Sequence, residues 1–258
     1  MASTVFTRMV ATTVNLHNRM IELRKVLIVL NDTGRGGAET QALYLAKGLI
    51  EKRVDVHVIS FGSKKESYWE QFESIGVKLH LAGFNSKLLL PNFVSIKQRF
   101  IYFKYYIKLV SLIRSIKPSI ILPYTYLPNI ILSRCWHFTN AKKCFWNQRD
   151  EGRAFYGKSW ELKALNSCTE IISNSLEGSL FLKRYTQREI KIIHNGVVMP
   201  KLVSRNLNDD LIRVVMVANL HKFKDHMTLL KAWKIIVEKE SRSKKIELLL
   251  AGEDINTG

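Results

Sequence analysis

Short apolar segments of four to seven residues alternate with longer amphipathic segments along most of the chain. This alternation is typical of βαβ units and predicts an α/β fold built on a parallel sheet. Strands are predicted at residues 25–30, 55–61, 77–81, 120–123, 143–146, 170–173 and 191–194. Helices are predicted at residues 38–52, 66–74, 94–116, 127–136, 159–166 and 175–185. Seven strands by residue 194 would form one complete Rossmann-like, doubly wound N-terminal domain.

A polar segment at residues 200–210 has the composition of an interdomain linker. Beyond it, a strand at 213–218, a helix at 225–239 and a strand at 246–251 restart the same rhythm. Because a typical domain has roughly 100 residues, we expect only the β-α-β start of a truncated C-terminal domain. The predicted organisation is a disordered leader (1–23), the N-terminal domain (24–199), the linker (200–210) and the second domain (211–258).

The formal net charge is +18, and much of it is concentrated in one part of the chain. Residues 74–149 contain no Asp or Glu but carry twelve Lys and Arg residues. Such a field attracts anionic partners, which include nucleic acid, anionic lipid headgroups and phosphorylated substrates. Alternatively, these cations only form solvated helix faces and bind no partner. Charge alone does not distinguish the two, since it specifies no partner. No recognition motif for nucleic acid accompanies the charge, so we predict no nucleic-acid partner.

No uncharged apolar run approaches the roughly 20 residues that cross a bilayer. The most apolar region instead interleaves cations with five aromatic residues, Phe100, Tyr102, Phe103, Tyr105 and Tyr106. These rings suit the headgroup region of an anionic membrane surface, or a helix that packs them inward, and we favour inward packing. The three cysteines have neither disulfide nor zinc spacing, which indicates a reducing cytoplasm.

A glycine loop joins the first predicted strand to the first predicted helix. Gly36 and Gly37 would let a phosphate or sugar approach the main chain at the helix N-terminus, where the dipole favours an anion. A nicotinamide dinucleotide is excluded, because Glu39 stands where its third glycine belongs and the second strand ends without an acid. Glu39 either stabilises the helix dipole or accepts hydrogen bonds from sugar hydroxyls.

A second loop of the same kind follows the strand at 213–218. His221, Lys222, Lys224 and His226 lie between that strand and a helix. Cations at this place can neutralise a diphosphate leaving group. The alternative is a solvated basic turn without a ligand, and this interpretation would be preferred if the loop were considered without the other motifs.

Four motifs in order resemble the retaining glycosyltransferases of family four, which have the GT-B architecture. They are Gly36-Gly37-Ala38-Glu39, Ile193-His194-Asn195-Gly196-Val197, Val217-Ala218-Asn219-Leu220 running to Lys224-Asp225-His226, and Leu248-Leu249-Leu250-Ala251-Gly252-Glu253. The resemblance implies a nucleotide-sugar donor bound mainly by the C-terminal domain and an acceptor bound mainly by the N-terminal one. It places Gly36 and Gly37 against the donor phosphates or the sugar, and Lys224 against the diphosphate.

Some positions depart from the family pattern. Asn219 or His221 stands where the family often has an arginine, and Tyr124 or Tyr126 occupies the place of a histidine at the end of the fourth strand. A phenol with a pKa near 10 is a poor general base at neutral pH. The family's pair of downstream glutamates lies beyond residue 258, so the resemblance implies weak or no activity for this chain.

Two further places are candidate contacts. Arg149 and Asp150 follow the fifth strand and are candidates for acceptor or phosphate contacts, or for an ion pair with each other. Asn195 and Gly196 are interdomain candidates by the resemblance.

The predicted function is transfer of a hexose from a nucleotide sugar to a saccharide or lipid-linked saccharide, in surface polysaccharide or glycoconjugate synthesis. The nucleotide sugar would be a co-substrate, with no cofactor and no metal, because cationic side chains can hold the diphosphate. The predicted place is the cytoplasm, at the inner face of a membrane. The alternative is a non-catalytic half that binds an acceptor or a membrane and needs a separate donor-domain partner.

Overall fold

The computed structural model describes residues 25–91, 95–199, 211–240 and 245–254. The chain divides into two compact units, of which the first ends at Val198 and the second begins at Met199. The predicted leader at 1–23 and linker at 200–210 lie outside the described residues, and the domain limits stay a prediction.

Unit 1 contains a parallel sheet in the order β3-β2-β1-β4-β5-β6-β7. Its strands are β1 Lys25–Leu30, β2 Asp55–Ser60, β3 Lys78–Leu81, β4 Ile120–Pro123, β5 Lys143–Gln148, β6 Glu170–Ser173 and β7 Ile190–Ile192. The order reverses between β1 and β4, which defines a doubly wound sheet with a switch point there. The predicted Rossmann-like α/β fold is therefore confirmed.

The helices of unit 1 connect the strands as predicted. They are α1 Gly37–Glu51, α2 Trp69–Ser74, α3 Ile96–Ile116, α4 Tyr126–Cys135, α5 Ser159–Ser167 and α6 Leu176–Lys183, with short 3-10 helices at Ser86–Leu89 and Trp136–Phe138. Helix α3 ends where Lys117 adopts a left-handed conformation before Pro118, as the proline predicts. No helix among the described residues is long and apolar enough to span a bilayer.

Several predicted boundaries are off by two or three residues, for example at the end of β7 (Ile192 rather than 194), and two of these differences have a visible cause. Helix α2 begins at residue 69 rather than 66, because the main-chain N–H groups of Glu66 and Tyr68 donate to Thr33 in the loop after β1. Strand β5 continues through Asn147 and Gln148, which are polar but buried. Both ends of the Asn129 side-chain amide bond the main chain of Asn147, so the buried strand end is satisfied.

Alternate residues of β1 pack on opposite faces of the sheet. Leu27 and Val29 face a cluster that includes α3 and α4, whereas Val26, Ile28 and Leu30 face one that includes α1 and α2. A third cluster holds α5 and α6 against β5 and β6. Burial on both faces explains the continuous apolar strands in the sequence.

Helix α3 divides the aromatic cluster between the core and the solvent. Tyr102 is buried, and Tyr105 and Tyr106 pack against the core. Phe100 and Phe103 are exposed. The prediction of inward packing is therefore confirmed for the three tyrosines and wrong for the two phenylalanines.

Unit 2 is a β-α-β element of strand β8 (Leu211–Val217), helix α7 (His226–Glu240) and strand β9 (Lys245–Ala251). The two strands pair in parallel, with Leu211 opposite Lys245 and Val217 opposite Ala251. A Cβ atom at Gly252 would overlap the main chain of Ala218, which explains the glycine after β9.

Two histidines form a stacked pair on β2 and β3. Their rings lie 5.2 Å apart, with His57 Nδ1 at 2.9 Å from His80 Nε2. Burial lowers the pKa of both imidazoles below 6.5. Because the unfolded chain then binds protons more readily than the folded one, this pair stabilises the fold fully above about pH 6.5 and progressively less below it.

We therefore expect the unfolding midpoint to fall between pH 7 and pH 5, and the His80→Gln variant to lose part of that fall. The difference should be roughly 2–4 °C, the shift that about 1 kcal/mol produces in a domain of this size. Thermal unfolding followed by circular dichroism measures it, with the exposed His137→Gln variant as control. The same pH dependence in wild type and His80→Gln would contradict this role of the pair.

Candidate functional site

Polar side chains meet at the carboxyl edge of the unit 1 sheet. The loop after β1, Tyr124 after β4, Arg149 after β5, Asn174 after β6 and Asn195 after β7 all belong to this edge. In doubly wound sheets, ligands bind outside the carboxyl ends of the strands, next to the switch point. The topology therefore makes this edge the candidate site of unit 1.

Arg149 is the central cation of the edge. Its Nη2 donates to Asn195 Oδ1 at 2.8 Å, and its guanidinium lies 5.0 Å from the centre of the Tyr124 ring. Its Nε is buried and has no hydrogen-bond partner among the described residues. Burial lowers the pKa of the guanidinium, whereas Tyr124 and Glu39 raise it. A partly buried guanidinium with an unused N–H is suited to binding an anion.

The two predicted tyrosines occupy different environments. Tyr124 is buried under Arg149, and burial raises the pKa of its phenol to about 12. The hydroxyl of Tyr126 donates to the buried carboxylate of Glu161, and burial raises the pKa of this phenol as well. Both phenols are therefore protonated at neutral pH, and neither is a general base.

Asp150 and Arg149 have different partners, which removes the predicted alternative of an ion pair between them. The Asp150 carboxylate accepts from Gln148 Nε2 at 3.0 Å and from the main-chain N–H of Gly152 at 2.7 Å. Asp150 thereby fixes the turn that follows β5. The structure gives it a positioning role in this turn.

The N-terminus of α1 combines an open main chain with an acid. Gly36 is the extended N-cap and supplies no side-chain cap, and a Cβ atom at Gly37 would meet nothing within 4 Å. Glu39 folds back over Gly36. Burial, together with the charge of Asp32, raises the pKa of Glu39 above its usual value, and a hydrogen bond from its own main-chain N–H and the charge of Arg149 offset only part of this rise. The carboxylate thus occupies part of the anion site that the helix offers.

The segment after β7 is held at the same edge by two contacts. Asn195 accepts from Arg149, and Gly196 is bonded by both ends of the Gln41 side chain. Gln41 Nε2 donates to the Gly196 carbonyl at 2.7 Å, and Gly196 N donates to Gln41 Oε1 at 3.1 Å. The structure therefore places Asn195 and Gly196 beside α1 and Arg149.

The candidates of unit 2 lie in the loop between β8 and α7. Asn219 Oδ1 accepts from the Glu253 N–H at 3.3 Å, and His221 Nδ1 accepts from the Phe223 N–H at 3.3 Å. Lys224 belongs to a 3-10 helix, Lys222–Lys224, and its main-chain N–H donates to the His221 carbonyl. Asn219 and His221 therefore shape the loop, and Lys224 is carried by it.

Several residues of the edge were not predicted from the sequence. Gln41 clamps Gly196, and Asn174 has a buried Oδ1 without a partner among the described residues. Thr125 has φ 66° and ψ 178°, a conformation that costs a residue other than glycine about 1–3 kcal/mol. Of these residues, only Asn174 could have been found from the sequence, because it directly follows a buried strand.

A cleft next to Thr125 is lined by Thr125, Tyr126, Asn129, Gln148, Arg149, Asp150, Gly152, Ala154 and Phe155.

Comparison with known proteins decides the family. The family model described as Glycosyltransferase Family 4 matches residues 35–199, more than half of the chain. The chain belongs to glycosyltransferase family 4. The match begins in the glycine loop after β1 and ends just after the Asn195-Gly196 segment, so it includes Gly36, Gly37, Arg149 and Asn195. No curated protein matches the chain.

Solved structures share the GT-B fold of this family 4 protein. HepE from Anabaena, solved with UDP and glucose, has a TM-score of 0.65 at 16% identity, over 90% of this chain and 62% of that one. TarM has a TM-score of 0.61 at 10% identity, over 93% of this chain and 74% of that one. An α-glucosyltransferase solved with UDP and a 13-mer DNA has a TM-score of 0.50 at 10% identity, over 90% and 67%. The chain thus spans less than two thirds of HepE, and the predicted GT-B fold class is confirmed.

Proposed function

We propose that this family 4 protein transfers a hexose from a nucleotide sugar to a saccharide or lipid-linked saccharide, with retention at the anomeric carbon. The proposed role is surface polysaccharide or glycoconjugate synthesis at the inner face of the cytoplasmic membrane. The observation that carries the proposal is the edge around Arg149, a largely desolvated cation near the N-terminus of α1 and its Glu39 carboxylate, inside the matched segment. HepE, solved with UDP and glucose, supports a nucleotide-sugar donor.

Arg149 is the proposed charge-stabilising group of unit 1. In this proposal its partly buried guanidinium faces negative charge on the reacting substrate, and Tyr124 and Asn195 hold it in place. Preorganised cations in a desolvated place stabilise developing charge strongly. In unit 2, Lys224 is the proposed partner of the diphosphate, and Asn219 and His221 support its loop.

Glu39 is proposed to bind a sugar hydroxyl. Its carboxylate already covers its own helix N-terminus, so a phosphate at that place would meet a negative charge. A neutral hydroxyl can donate to the carboxylate without this repulsion. Gly37, where a Cβ atom would meet nothing within 4 Å, then leaves the sugar ring room to approach the main chain.

A transfer assay with the full chain tests the proposal. The protein is incubated with radiolabelled UDP-glucose, or with another labelled nucleotide sugar, and a panel of saccharides and lipid-linked saccharides. We expect label in a saccharide product and release of the nucleoside diphosphate. Proton NMR of the product then gives the anomeric configuration, and an inverted product would overturn the retaining mechanism. No transfer from any nucleotide sugar would overturn the proposed activity.

A second candidate is a non-catalytic half that binds an acceptor or a membrane and works with a separate donor-domain partner. The acid-free stretch at residues 74–149 favours it. In that case the chain would bind acceptor saccharide without transfer, and a partner would co-purify with it.

The α-glucosyltransferase neighbour was solved with DNA, so the prediction of no nucleic-acid partner needs its own test. Gel-shift titration with duplex DNA provides it.

A further inference from the structure

Helix α3 exposes an apolar stripe that the core does not use. Ile96, Phe100, Phe103 and Ile107 are 73%, 73%, 56% and 65% exposed. Their spacing of four, three and four residues places them along one line of the helix. Large exposed apolar patches of this kind mark interaction surfaces. The stripe is therefore a candidate docking surface.

Cations accompany the stripe on the same helix. Lys97 and Lys104 are exposed and lie one heptad apart, in the row beside the apolar line. Lys108 continues this row, but its Nζ donates to the Ala82 carbonyl at 2.9 Å. Residues 74–149, which include the whole helix, contain no Asp or Glu. The docking surface is therefore apolar along one line and positive beside it.

We propose that the stripe on α3 docks the protein on the surface of an anionic lipid bilayer. Apolar side chains would enter the headgroup and acyl boundary, and the lysines would pair with anionic headgroups. A second copy of this chain fits the surface poorly, because two copies would bring the same positive rows together. Nucleic acid would use the cations but not the isoleucines.

The direction of α3 relates this surface to the candidate site. Ser86, ten residues before the helix, donates to Asn31 Oδ1 in the loop after β1, at the carboxyl edge of the sheet. At the other end, the Ile116 carbonyl accepts from Lys25 at the start of β1. The Ile96 end of the stripe therefore lies toward the edge that holds Arg149. This relation rests on the proposed function, in which a lipid-linked acceptor leaves the bilayer at that edge.

Vesicle flotation with the full chain tests the docking surface. The wild type should float with phosphatidylcholine vesicles that contain phosphatidylglycerol and much less with pure phosphatidylcholine. The double variant Phe100→Ser and Phe103→Ser should lose about tenfold or more in binding to the anionic vesicles. The double variant Lys97→Gln and Lys104→Gln should also lose about tenfold, and should remove most of the salt dependence.

Matched controls come from other helices of unit 1. Leu176 and Leu180 on α6 are 52% and 58% exposed, so replacing both by serine removes a comparable apolar area elsewhere. Lys47 on α1 and Lys163 on α5 are exposed and serve as charge controls. Both control variants should float like the wild type. Absence of flotation in the wild type, or equal flotation of wild type and stripe variants, would overturn the proposal.

The readout separates this proposal from the proposed function. Flotation needs no nucleotide sugar, and transfer to a water-soluble saccharide needs no membrane. The stripe variants should retain transfer to the soluble acceptor and lose transfer to a lipid-linked acceptor in vesicles. Flotation without transfer would support the docking surface and contradict the proposed transfer activity. Transfer without flotation would support the transfer activity and contradict the docking surface.

Discussion

Replacing Arg149 by glutamine should lower the rate of sugar transfer by about 100- to 1000-fold, the usual cost of removing a preorganised charge-stabilising group. Glutamine keeps a planar polar group but removes the charge and the buried Nε donor. The partners Tyr124 and Asn195 stay in place, so the fold should survive. Steady-state kinetics with the active nucleotide sugar measures the change, and the unfolding midpoint should move by only a few degrees.

Arg153→Gln is the matched control for this variant. Arg153 lies four residues away and pairs with Glu151 on the surface. An exposed ion pair contributes about 0–1 kcal/mol, and this control should keep the wild-type rate. A rate for Arg149→Gln within a few-fold of Arg153→Gln would contradict the role given to Arg149.

Enlarging Gly37 should reduce transfer without harming the fold. A Cβ atom at this position meets nothing within 4 Å, and the residue is the first of α1. We expect Gly37→Ala to leave the free energy of unfolding unchanged or to raise it by up to about 1 kcal/mol, because alanine is the better helix former. Gly37→Leu should lower the transfer rate by at least about tenfold, because its side chain would occupy the space of the substrate.

These two variants distinguish a substrate-binding glycine from a structural one, because the transfer rate should fall while the free energy of unfolding is unchanged or raised. A glycine with a structural role only would lose stability on substitution, and the loss of activity would follow the loss of folded protein. Gln71→Leu adds a similar side chain to an exposed position of α2 and should change neither quantity. If Gly37→Leu retained the full rate, no substrate would approach the main chain at this glycine.

Much of the architecture follows from local sequence signals. Strands such as β1 and β4 are uninterrupted apolar runs, and proline and glycine mark the turns between elements. The end of β5 could not be predicted, because Asn147 and Gln148 look like loop residues. They are buried only because Asn129, from the preceding helix, satisfies Asn147, and because Gln148 accepts from Trp146.

The candidate site was predictable where it follows the ends of strands. Arg149 and Glu39 were identified because one follows a strand and the other begins a helix, places where parallel sheets collect ligands. The contacts of Arg149 and Gln41 with the segment after β7 were not predictable. Arg149 and Asn195 are hydrogen-bonded although 46 residues apart in the sequence, and Gln41 and Gly196 although 155 residues apart. Single-sequence patterns carry no information on such pairs, since only the sheet order brings them together.

The measurement that tests the account most directly is hydrogen–deuterium exchange of the full chain with and without UDP-glucose. Ligand at the carboxyl edge of the unit 1 sheet would protect the main chain it covers. We predict slower exchange in peptides that include residues 34–41, 147–152 and 194–196, and in the loop that carries Lys224, with no change in β2. Arg149→Gln should abolish this protection. Protection absent from all three segments, or found only elsewhere, would contradict the assignment of this edge as the substrate site.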